Sequence, residues 1–296
     1  MFLRLKSSIK NIANNFLPYE FNLFLKKKKR ERKRKKLRFS VHLVDHCNLN
    51  CKCCDNFSCI ADEKYHDITS IENDFRRICE LAKGKLQLIR LSGGEPLLHP
   101  KLLNILDITY KYFPKTDIEL VTNGILLQKQ TDDFWLSLKK NNIKLMITRY
   151  PLPPPNKLPY KKIEQSAKHF NVLLKYNDDT AIKQKTMHKM PLDLAGSQNP
   201  QESFYLCYKA NTCIMLDDGK IYTCATIPYI KYFNKQFKTD IKTCDKDYID
   251  IYKVNNIDEI FDFLCKPMPF CRYCNTKEPK YGIDWSVSNK NISEWI

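Results

Sequence analysis

The chain has 296 residues, of which 43% are hydrophobic and only 7 are glycine, and its formal net charge is +17. This composition excludes a wholly disordered or collagen-like chain, and the length suffices for one large domain or a domain with a smaller appendage. Residues 26–38 hold eleven Lys or Arg against one Glu, so this run contributes +10 and the rest of the chain about +7. The smaller positive charge of the rest of the chain suits an anionic substrate or cofactor.

The first segment is predicted to be an amphipathic helix that leads into the basic run. Its apolar residues recur at steps of three and four: Phe2, Leu5, Ile9, Ile12 and Phe16. One interpretation of residues 1–37 is a helix that covers the body, followed by a solvated basic linker. The other is attachment to an anionic membrane surface. We do not expect nucleic-acid binding, because no recognition motif accompanies the run.

Residues 1–25 contain no uninterrupted apolar span of the roughly 20 residues that a membrane helix needs, and no secretory cleavage site. We therefore expect a cytoplasmic protein, with the inner membrane surface as the alternative location. The chain contains 13 cysteines. In a long chain without a signal peptide, that number favours metal or cluster binding over disulfides.

From Arg38 to Asp178, strand-like and helix-like patterns alternate five times. The strand-like pieces are RFSVHLVD, KLQLIRLSGG, DIELVTNG, NIKLMITRY and NVLLKYND. This alternation predicts an α/β fold, a parallel sheet with helices outside it that is either open or closing toward a barrel. A sixth barrel strand would have to lie within 180–205. We expect the catalytic residues at the carboxyl ends of the strands.

The stretch VDHCNLNCKCCDNFSC, residues 44–59, follows the first predicted strand. Cys47, Cys51 and Cys54 form a C-x3-C-x2-C pattern within it. Three thiolates from one short loop can bind three irons of a 4Fe-4S cube and leave the fourth iron without a protein ligand. Zinc is the main alternative, although a closed zinc site would need a fourth ligand.

The neighbouring candidates for that fourth ligand are His46, Cys53 and Cys59. We expect His46 to be a hydrogen-bonding residue of the loop. Cys53 and Cys59 are expected to pack as small apolar residues.

The segment CNLNCKCC after one strand and LSGGEP after the next, about forty residues apart, resemble the radical S-adenosylmethionine superfamily. The resemblance covers residues 38–200 and implies a catalytic domain shaped as a partial (β/α)6-type parallel barrel. It also implies that Cys47, Cys51 and Cys54 hold a 4Fe-4S cluster, whose open iron S-adenosylmethionine binds through its amino and carboxylate groups. Where the family often has an aromatic residue before the last motif cysteine, this chain has Cys53.

The LSGGEP motif has a physical interpretation beside the resemblance. Gly93 and Gly94 lack side chains and would let the backbone approach the methionine moiety of the cofactor. Glu95 is expected to contact its ammonium group, and Pro96 to stiffen the turn. An ordinary strand-to-helix turn is the alternative.

Two weaker signals lie at the ends of the third and fourth predicted strands. In VTNG, Thr122 and Asn123 end the third predicted strand, and we assign Asn123 to the ribose or methionine of the cofactor. Arg149 ends the fourth strand and would reach a carboxylate. The alternative for both positions is a turn or surface residue.

After Asp178 the alternation is lost, and seven cysteines appear between Cys207 and Cys274. We place a domain boundary near residue 200, so that 201–296 form a cysteine-rich domain. Within it, the turn DDG between CIML and KIYTC predicts a β-hairpin.

This region resembles the shorter auxiliary-cluster (SPASM or twitch-like) domains that follow many radical S-adenosylmethionine barrels. The resemblance favours a second 4Fe-4S cluster, with a structural zinc as the alternative. The favoured ligands are Cys207, Cys224, Cys271 and Cys274. Cys213 and Cys265 are the substitutes, whereas Cys79 and Cys244 are interpreted as ordinary core or surface thiols.

The resemblance implies an enzyme that cleaves S-adenosylmethionine reductively to a 5′-deoxyadenosyl radical, which abstracts hydrogen from a substrate. Its electron donor would be a flavodoxin or ferredoxin. A polar substrate such as a sugar or nucleotide-linked sugar is our first hypothesis, and maturation of a peptide is the second. The alternative of another class is a non-catalytic iron–sulfur protein that binds nucleic acid or membrane through its basic segment.

Overall fold

A computed structural model describes residues 19–32, 35–153, 157–177 and 184–296. The amphipathic helix predicted over residues 2–16 lies outside these ranges. Where the chain is described, no helix is both long and apolar enough to span a membrane.

In the part of the chain that the structure describes, ten strands form one large and one small sheet. The strands are β1 (Leu37–Val44), β2 (Leu86–Gly93), β3 (Asp117–Thr122), β4 (Lys144–Ile147), β5 (Leu174–Tyr176), β6 (Thr186–Lys189), β7 (Met215–Asp217), β8 (Lys220–Tyr222), β9 (Ile249–Asp250) and β10 (Lys280–Asp284). The order in the large sheet is β5-β4-β3-β2-β1-β7-β8-β9. The first six strands in this order, β5-β4-β3-β2-β1-β7, are parallel. Strands β8 and β9 extend the sheet by antiparallel pairing.

The helices are α1 (Tyr19–Glu31), α2 (Ile68–Ala82), α3 (Leu102–Tyr112), α4 (Asp132–Lys140), α5 (Tyr160–His169), α6 (Pro200–Leu206), α7 (Thr226–Phe237) and α8 (Ile257–Leu264). Helix α2 begins where the Asp67 side chain accepts a hydrogen bond from the Ser70 amide, which satisfies an otherwise unpaired donor. Its apolar face buries Phe75 and Ile78 completely against the sheet. Burial of such side chains drives the layered packing.

The predicted α/β fold is confirmed: the five predicted strands form, and four helices lie between them in the chain, as the alternating sequence pattern indicates. The predicted hairpin is also confirmed, with β7 and β8 joined through Asp218 and Gly219. Both turn residues have a positive φ, the left-handed conformation that such turns require.

The expectation of a sixth barrel strand within 180–205 is wrong. Strand β6 lies in that range, but it pairs with β10 in a separate two-stranded sheet. The position beside β1 is taken by β7, which comes from the cysteine-rich region and pairs in parallel through Ser40 with Met215. All three residues of β7 are buried, whereas β6 is mostly half-buried, so β7 is the better partner for the buried edge of β1.

The basic run also differs from the solvated linker that the sequence predicts. Its first half belongs to α1, which packs on α6. Leu23 contacts a small apolar cluster around Phe204, and the Arg30 guanidinium lies 5.5 Å from the centre of the Phe204 ring. The long cationic side chains on this side of the helix therefore contribute packing as well as charge.

Candidate functional site

The carboxyl ends of β1, β2 and β3 bring three predicted site segments together. Cys47 follows β1, Gly94 and Glu95 follow β2, and Asn123 follows β3. The Asn123 side-chain amide donates to Asn48 Oδ1 at 2.8 Å and lies 3.8 Å from Cys47 Sγ. The cysteine loop is therefore tied to the third strand as well as to its own.

Gly93 and Gly94 lie against the backbone of the cysteine loop. The Gly94 amide donates to the Val44 carbonyl at 2.7 Å, and the Glu95 amide donates to the His46 carbonyl at 3.2 Å. A Cβ atom on Gly94 would lie 1.9 Å from the His46 carbonyl oxygen, and one on Gly93 would lie 2.3 Å from that of Val44. Glycine is needed at both positions because the two loops lie too close together to leave space for a side chain. The sequence alone did not indicate this contact.

Gly94→Ala is expected to separate the two loops and to leave the reconstituted protein with little iron at the cysteine loop, because the clash is with backbone that cannot rotate away. Iron per chain and the melting temperature measure this effect. Gly84→Ala is the control, since a Cβ there meets nothing within 4 Å. The control is expected to retain its iron and to lose only about 1–2 kcal/mol for its left-handed backbone. A Gly94→Ala variant with full iron content would contradict this explanation.

Glu95 connects the second and third strand ends from a fully buried position. Its Oε1 accepts from the Thr122 hydroxyl at 2.7 Å and from the Leu97 amide at 3.0 Å, and its Oε2 accepts from the Asn123 amide at 2.9 Å. Burial raises the pKa of Glu95 to about 7. The role of Glu95 toward a bound ammonium stays a prediction, whereas its role in joining these loops is visible.

The thiols of Cys47, Cys51 and Cys54 lie close enough for each to influence another electrostatically. Burial raises the pKa of Cys47 and Cys54, and that of Cys51 to about 12, and the neighbouring thiolates or carboxylates add to each rise. The Leu49 amide opposes this effect by donating to Cys47 Sγ at 3.3 Å. Ligand binding here must therefore release protons, as it does at metal–thiolate sites.

The remaining candidates near the loop occupy other environments. His46 Nδ1 accepts from the Lys64 amide at 3.2 Å, as expected for a hydrogen-bonding residue of the loop. Cys53 and Cys59 are buried, as expected for packing residues. Arg149 stacks on the Tyr176 ring at 4.3 Å and lines a cavity of about 470 Å³ beside Tyr150.

A second group of thiols gathers where the β7–β8 hairpin, α6 and the segment after α8 meet. Burial raises the pKa of Cys224 to about 12, and raises those of Cys271 and Cys274 further, with contributions from one another and from Cys207. The amides of Lys209 and Ala210 donate to Cys207 Sγ at 3.3 and 3.4 Å. The four cysteines that the resemblance favours are thus neighbours in space, although two pairs lie far apart in the chain.

Burial raises the pKa of Cys213, and Cys207 is the one member of this group among its main further causes. Among the residues that the structure describes, one set of three or more metal-ligand atoms lies within 4.8 Å of one another, and it consists of His66, Asp217 and Asp218. No three thiols of either cysteine group fall within that distance of one another.

A family model described as the Radical SAM superfamily matches residues 41–150. That range contains the cysteine loop, the LSGGEP segment and Asn123, which the structure brings together. This part of the chain is a radical S-adenosylmethionine superfamily domain. Because the match contains the catalytic motifs, it disfavours a non-catalytic iron–sulfur protein.

Curated relatives match about a third of the chain. GTP 3′,8-cyclase of Desulforamulus reducens is 33% identical over 98 residues, which is 33% of this chain and 29% of that protein. The enzyme of the same name from Peptoclostridium acidaminophilum is 33% identical over 110 residues, 37% of this chain and 33% of that protein. The matched stretch spans about a third of the length of these relatives.

The fold is similar to that of a solved structure over most of its length. The crystal structure of BtrN in complex with AdoMet and 2-DOIA has a TM-score of 0.50, with 16% identity over 82% of this chain and 94% of that one. At this identity the similarity concerns the fold alone. It includes the region that follows the parallel strands, since it covers four fifths of the chain.

The C-terminal segment closes over the superfamily cysteine loop, which the sequence did not indicate. The Lys52 amide donates to the Ser286 carbonyl at 3.0 Å, and the Ser288 amide donates to the Asn50 carbonyl at 2.8 Å. The Trp295 indole donates to the Cys54 carbonyl at 3.0 Å. The tail is therefore a wall of the site.

Two side chains from outside the loop contact the sulfur of Cys51. Trp285 Nε1 donates to it at 3.1 Å, and the Tyr150 hydroxyl also hydrogen-bonds to it. The donor set therefore fits a 4Fe-4S cluster, because three thiols share one loop and N–H and O–H donors are aimed at sulfur. Hydrogen bonds to cluster sulfurs raise the reduction potential.

Trp285→Phe is expected to make the potential of the loop cluster more negative, because it removes the indole donor and keeps most of the ring. Potentiometric titration followed by EPR measures this shift. Trp135→Phe is the control, since Trp135 is buried in α4 against Phe170 and away from the loop. An unchanged potential in Trp285→Phe would show that the hydrogen bond does not act on the cluster.

Proposed function

We propose that this superfamily member binds its catalytic 4Fe-4S cluster through Cys47, Cys51 and Cys54, and abstracts a hydrogen atom from a polar small molecule. The observation that carries the proposal is the convergence of the cysteine loop, the Gly94–Glu95 turn and Asn123 at the carboxyl ends of three parallel strands. When bound, the cluster and S-adenosylmethionine supply one-electron cleavage to a 5′-deoxyadenosyl radical. A flavodoxin or ferredoxin would supply the electron.

The residues of the chain position and enclose this chemistry. Glu95 fixes the second and third strand ends relative to each other, and Gly94 fixes the second strand end against the cysteine loop. Gly93, Gly94, Glu95, Pro96 and Asn123 would hold the cofactor. Trp285 and the tail around it restrict access of water from their side of the loop.

The four gathered cysteines, Cys207, Cys224, Cys271 and Cys274, would hold a second 4Fe-4S cluster, with zinc as the alternative. Their proximity and the amides aimed at Cys207 support a charged thiolate site. We accordingly assign residues 38–200 to a catalytic domain and 201–296 to an auxiliary domain that accepts or relays an electron. Residues 1–37 precede both.

A sugar or nucleotide-linked sugar is the substrate class that the site supports best. The cavity of about 470 Å³ is lined by Arg149, Lys157, Gln184 and Tyr160, and Tyr150 joins it to the cysteine loop. These polar and cationic groups suit a hydroxylated, anionic molecule. The relatives named GTP 3′,8-cyclase add support for a phosphorylated small molecule. A peptide substrate is the second candidate.

An anaerobic comparison of cell extracts tests the substrate class. Cells that make the natural chain are compared with cells that make the Cys47→Ala, Cys51→Ala, Cys54→Ala variant, so that protein abundance is matched. A sugar or nucleotide sugar whose mass changes only with the natural chain is the expected result. A peptide that changes mass instead would overturn the sugar hypothesis and favour a maturase.

The solvent-exposed face of α1 bears on whether the protein attaches to a membrane surface. Phe21, Phe24 and Leu25 are 47%, 50% and 43% exposed, and Lys28 lies beside them. Exposed apolar side chains next to cations suit the interface of an anionic membrane. Attachment to the inner membrane surface is therefore proposed as the alternative to a freely cytoplasmic protein, and sedimentation with anionic vesicles tests it.

A further inference from the structure

A cavity of about 550 Å³ lies between α1 and residues 205–212, on the outer side of Cys207. Its size falls within the usual range for small-molecule sites. Five of its lining residues are cationic: Lys26, Lys29, Arg30, Arg32 and Arg38. Within the described part of the chain, no carboxylate lines it. Bringing this many positive charges together costs electrostatic free energy unless an anion compensates them.

Arg30 builds the wall of this cavity. Its guanidinium donates to the carbonyl of Tyr205 at 3.3 Å, and also to the carbonyls of Cys207 and Ala210. These three bonds fix α1 against the segment that carries Cys207. They also occupy N–H donors of Arg30, so direct hydrogen bonds to a ligand would come from the other four cations.

Those four cations, Lys26, Lys29, Arg32 and Arg38, have no ion-pair or hydrogen-bond partner among the residues that the structure describes. By contrast, Lys27 on the same helix pairs with Glu31 at 3.8 Å. Burial, together with the charge of Arg30, lowers the pKa of Lys26. The cations therefore repel one another across a space that nothing in the described chain neutralises.

The Tyr208 hydroxyl is a second and independent observation. Tyr208 lines the cavity, and its hydroxyl is buried without a hydrogen-bond partner. Buried hydroxyls are nearly always paired in native proteins. The ring contacts those of Tyr281 and His188, at 5.3 and 6.1 Å between centroids. Because the hydroxyl is covered, a ligand oxygen would satisfy it only after a small turn of the ring toward the cavity.

We propose that this cavity binds a phosphate-bearing anion, with Lys26, Lys29, Arg32 and Arg38 supplying the charge and Tyr208 a hydrogen bond. Phosphate is favoured over a single carboxylate because it carries more charge and more acceptor oxygens, which four cations and a hydroxyl can share. A soluble phosphate ester and the headgroup of an anionic lipid both offer this chemistry. The proposal stands apart from the superfamily chemistry, because none of these residues belongs to the cysteine loop.

Calorimetric titration of the reconstituted full chain with inorganic pyrophosphate tests the proposal. Lys29→Ser and Lys28→Ser are matched variants, because the two lysines are adjacent and exposed but only Lys29 lines the cavity. Lys29→Ser is expected to weaken binding about tenfold, as loss of one charge-assisted hydrogen bond does, and Lys28→Ser less than about twofold. Lys29→Ser should also flatten the dependence of affinity on salt.

Tyr208→Phe separates the hydrogen bond from the charge. It is expected to weaken pyrophosphate binding while leaving the salt dependence unchanged. A second arm uses vesicles of phosphatidylglycerol, with phosphatidylcholine vesicles as the control. Vesicle binding that pyrophosphate displaces, with the same difference between the lysine variants, supports the proposal and identifies a headgroup. Pyrophosphate binding without vesicle binding supports it and identifies a soluble ester.

Three results would overturn the proposal. The first is absence of pyrophosphate binding by the natural chain. The second is equal weakening by Lys28→Ser and Lys29→Ser, which would indicate the general surface charge of α1. The third is pyrophosphate binding that Lys29→Ser leaves unchanged. None of these measurements depends on cleavage of S-adenosylmethionine, so failure here and failure of the proposed enzyme function are distinguishable.

Discussion

Replacing Cys47, Cys51 and Cys54 with alanine is expected to remove the loop cluster and to leave about four of about eight irons per reconstituted chain. The reason is that each thiolate holds a separate iron, and no other thiol of the described chain occupies their positions beside Asn123 and Trp285. Iron analysis, together with EPR of the reduced protein, measures the loss. One of the two reduced-cluster signals should disappear while the other remains.

Cys79→Ala with Cys244→Ala is the control for the triple variant. Both residues are exposed, and neither lies with the gathered thiols. This control is expected to keep all its iron and both signals. A triple variant that retained the loop-cluster signal would refute the assignment of Cys47, Cys51 and Cys54.

The second large effect concerns the auxiliary site. Adding Cys271→Ser and Cys274→Ser to the triple variant is expected to remove the remaining iron, because these thiols lie beside Cys224 and Cys207 in buried surroundings. Cys213→Ser with Cys265→Ser in the same background is the matched comparison. It is expected to retain about four irons, the content of one cube.

The metal content of the triple variant also separates iron from zinc. About four irons would support an auxiliary cluster, whereas one zinc would favour a structural site and remove the proposed electron relay. Full iron retention after the Cys271 and Cys274 substitutions, with loss after the Cys213 and Cys265 substitutions, would show that the ligand set has been misassigned.

The predictions that hold are those whose cause is local in sequence. The apolar run of β1 and the amphipathic face of α2 indicate a buried strand and a covering helix, and both form as expected. The hairpin through Asp218 and Gly219 follows from turn chemistry that two residues determine. The carboxyl ends of parallel strands then place the cysteine loop beside the Gly94 turn, since neighbouring strands end together.

The features that were missed depend on contacts between distant segments. Trp285 reaches Cys51 across 234 positions of sequence, and the pairing of that tail with the cysteine loop has no local signature. Strand β7 displaced the expected sixth strand because edge pairing depends on which buried segment fits β1, not on pattern alone. At Gly94 the missed feature is the close approach of the backbone of another loop, whereas contact of the glycines with the cofactor stays a prediction.

The most direct test of the central claim is anaerobic incubation of the reconstituted, reduced protein with S-adenosylmethionine, followed by quantification of 5′-deoxyadenosine and methionine. The natural chain is expected to form both products in equal amounts. The Cys47→Ala, Cys51→Ala, Cys54→Ala variant, which keeps its auxiliary cysteines, is expected to form neither. Failure of the fully loaded natural chain to form 5′-deoxyadenosine, or equal formation by the triple variant, would contradict the account.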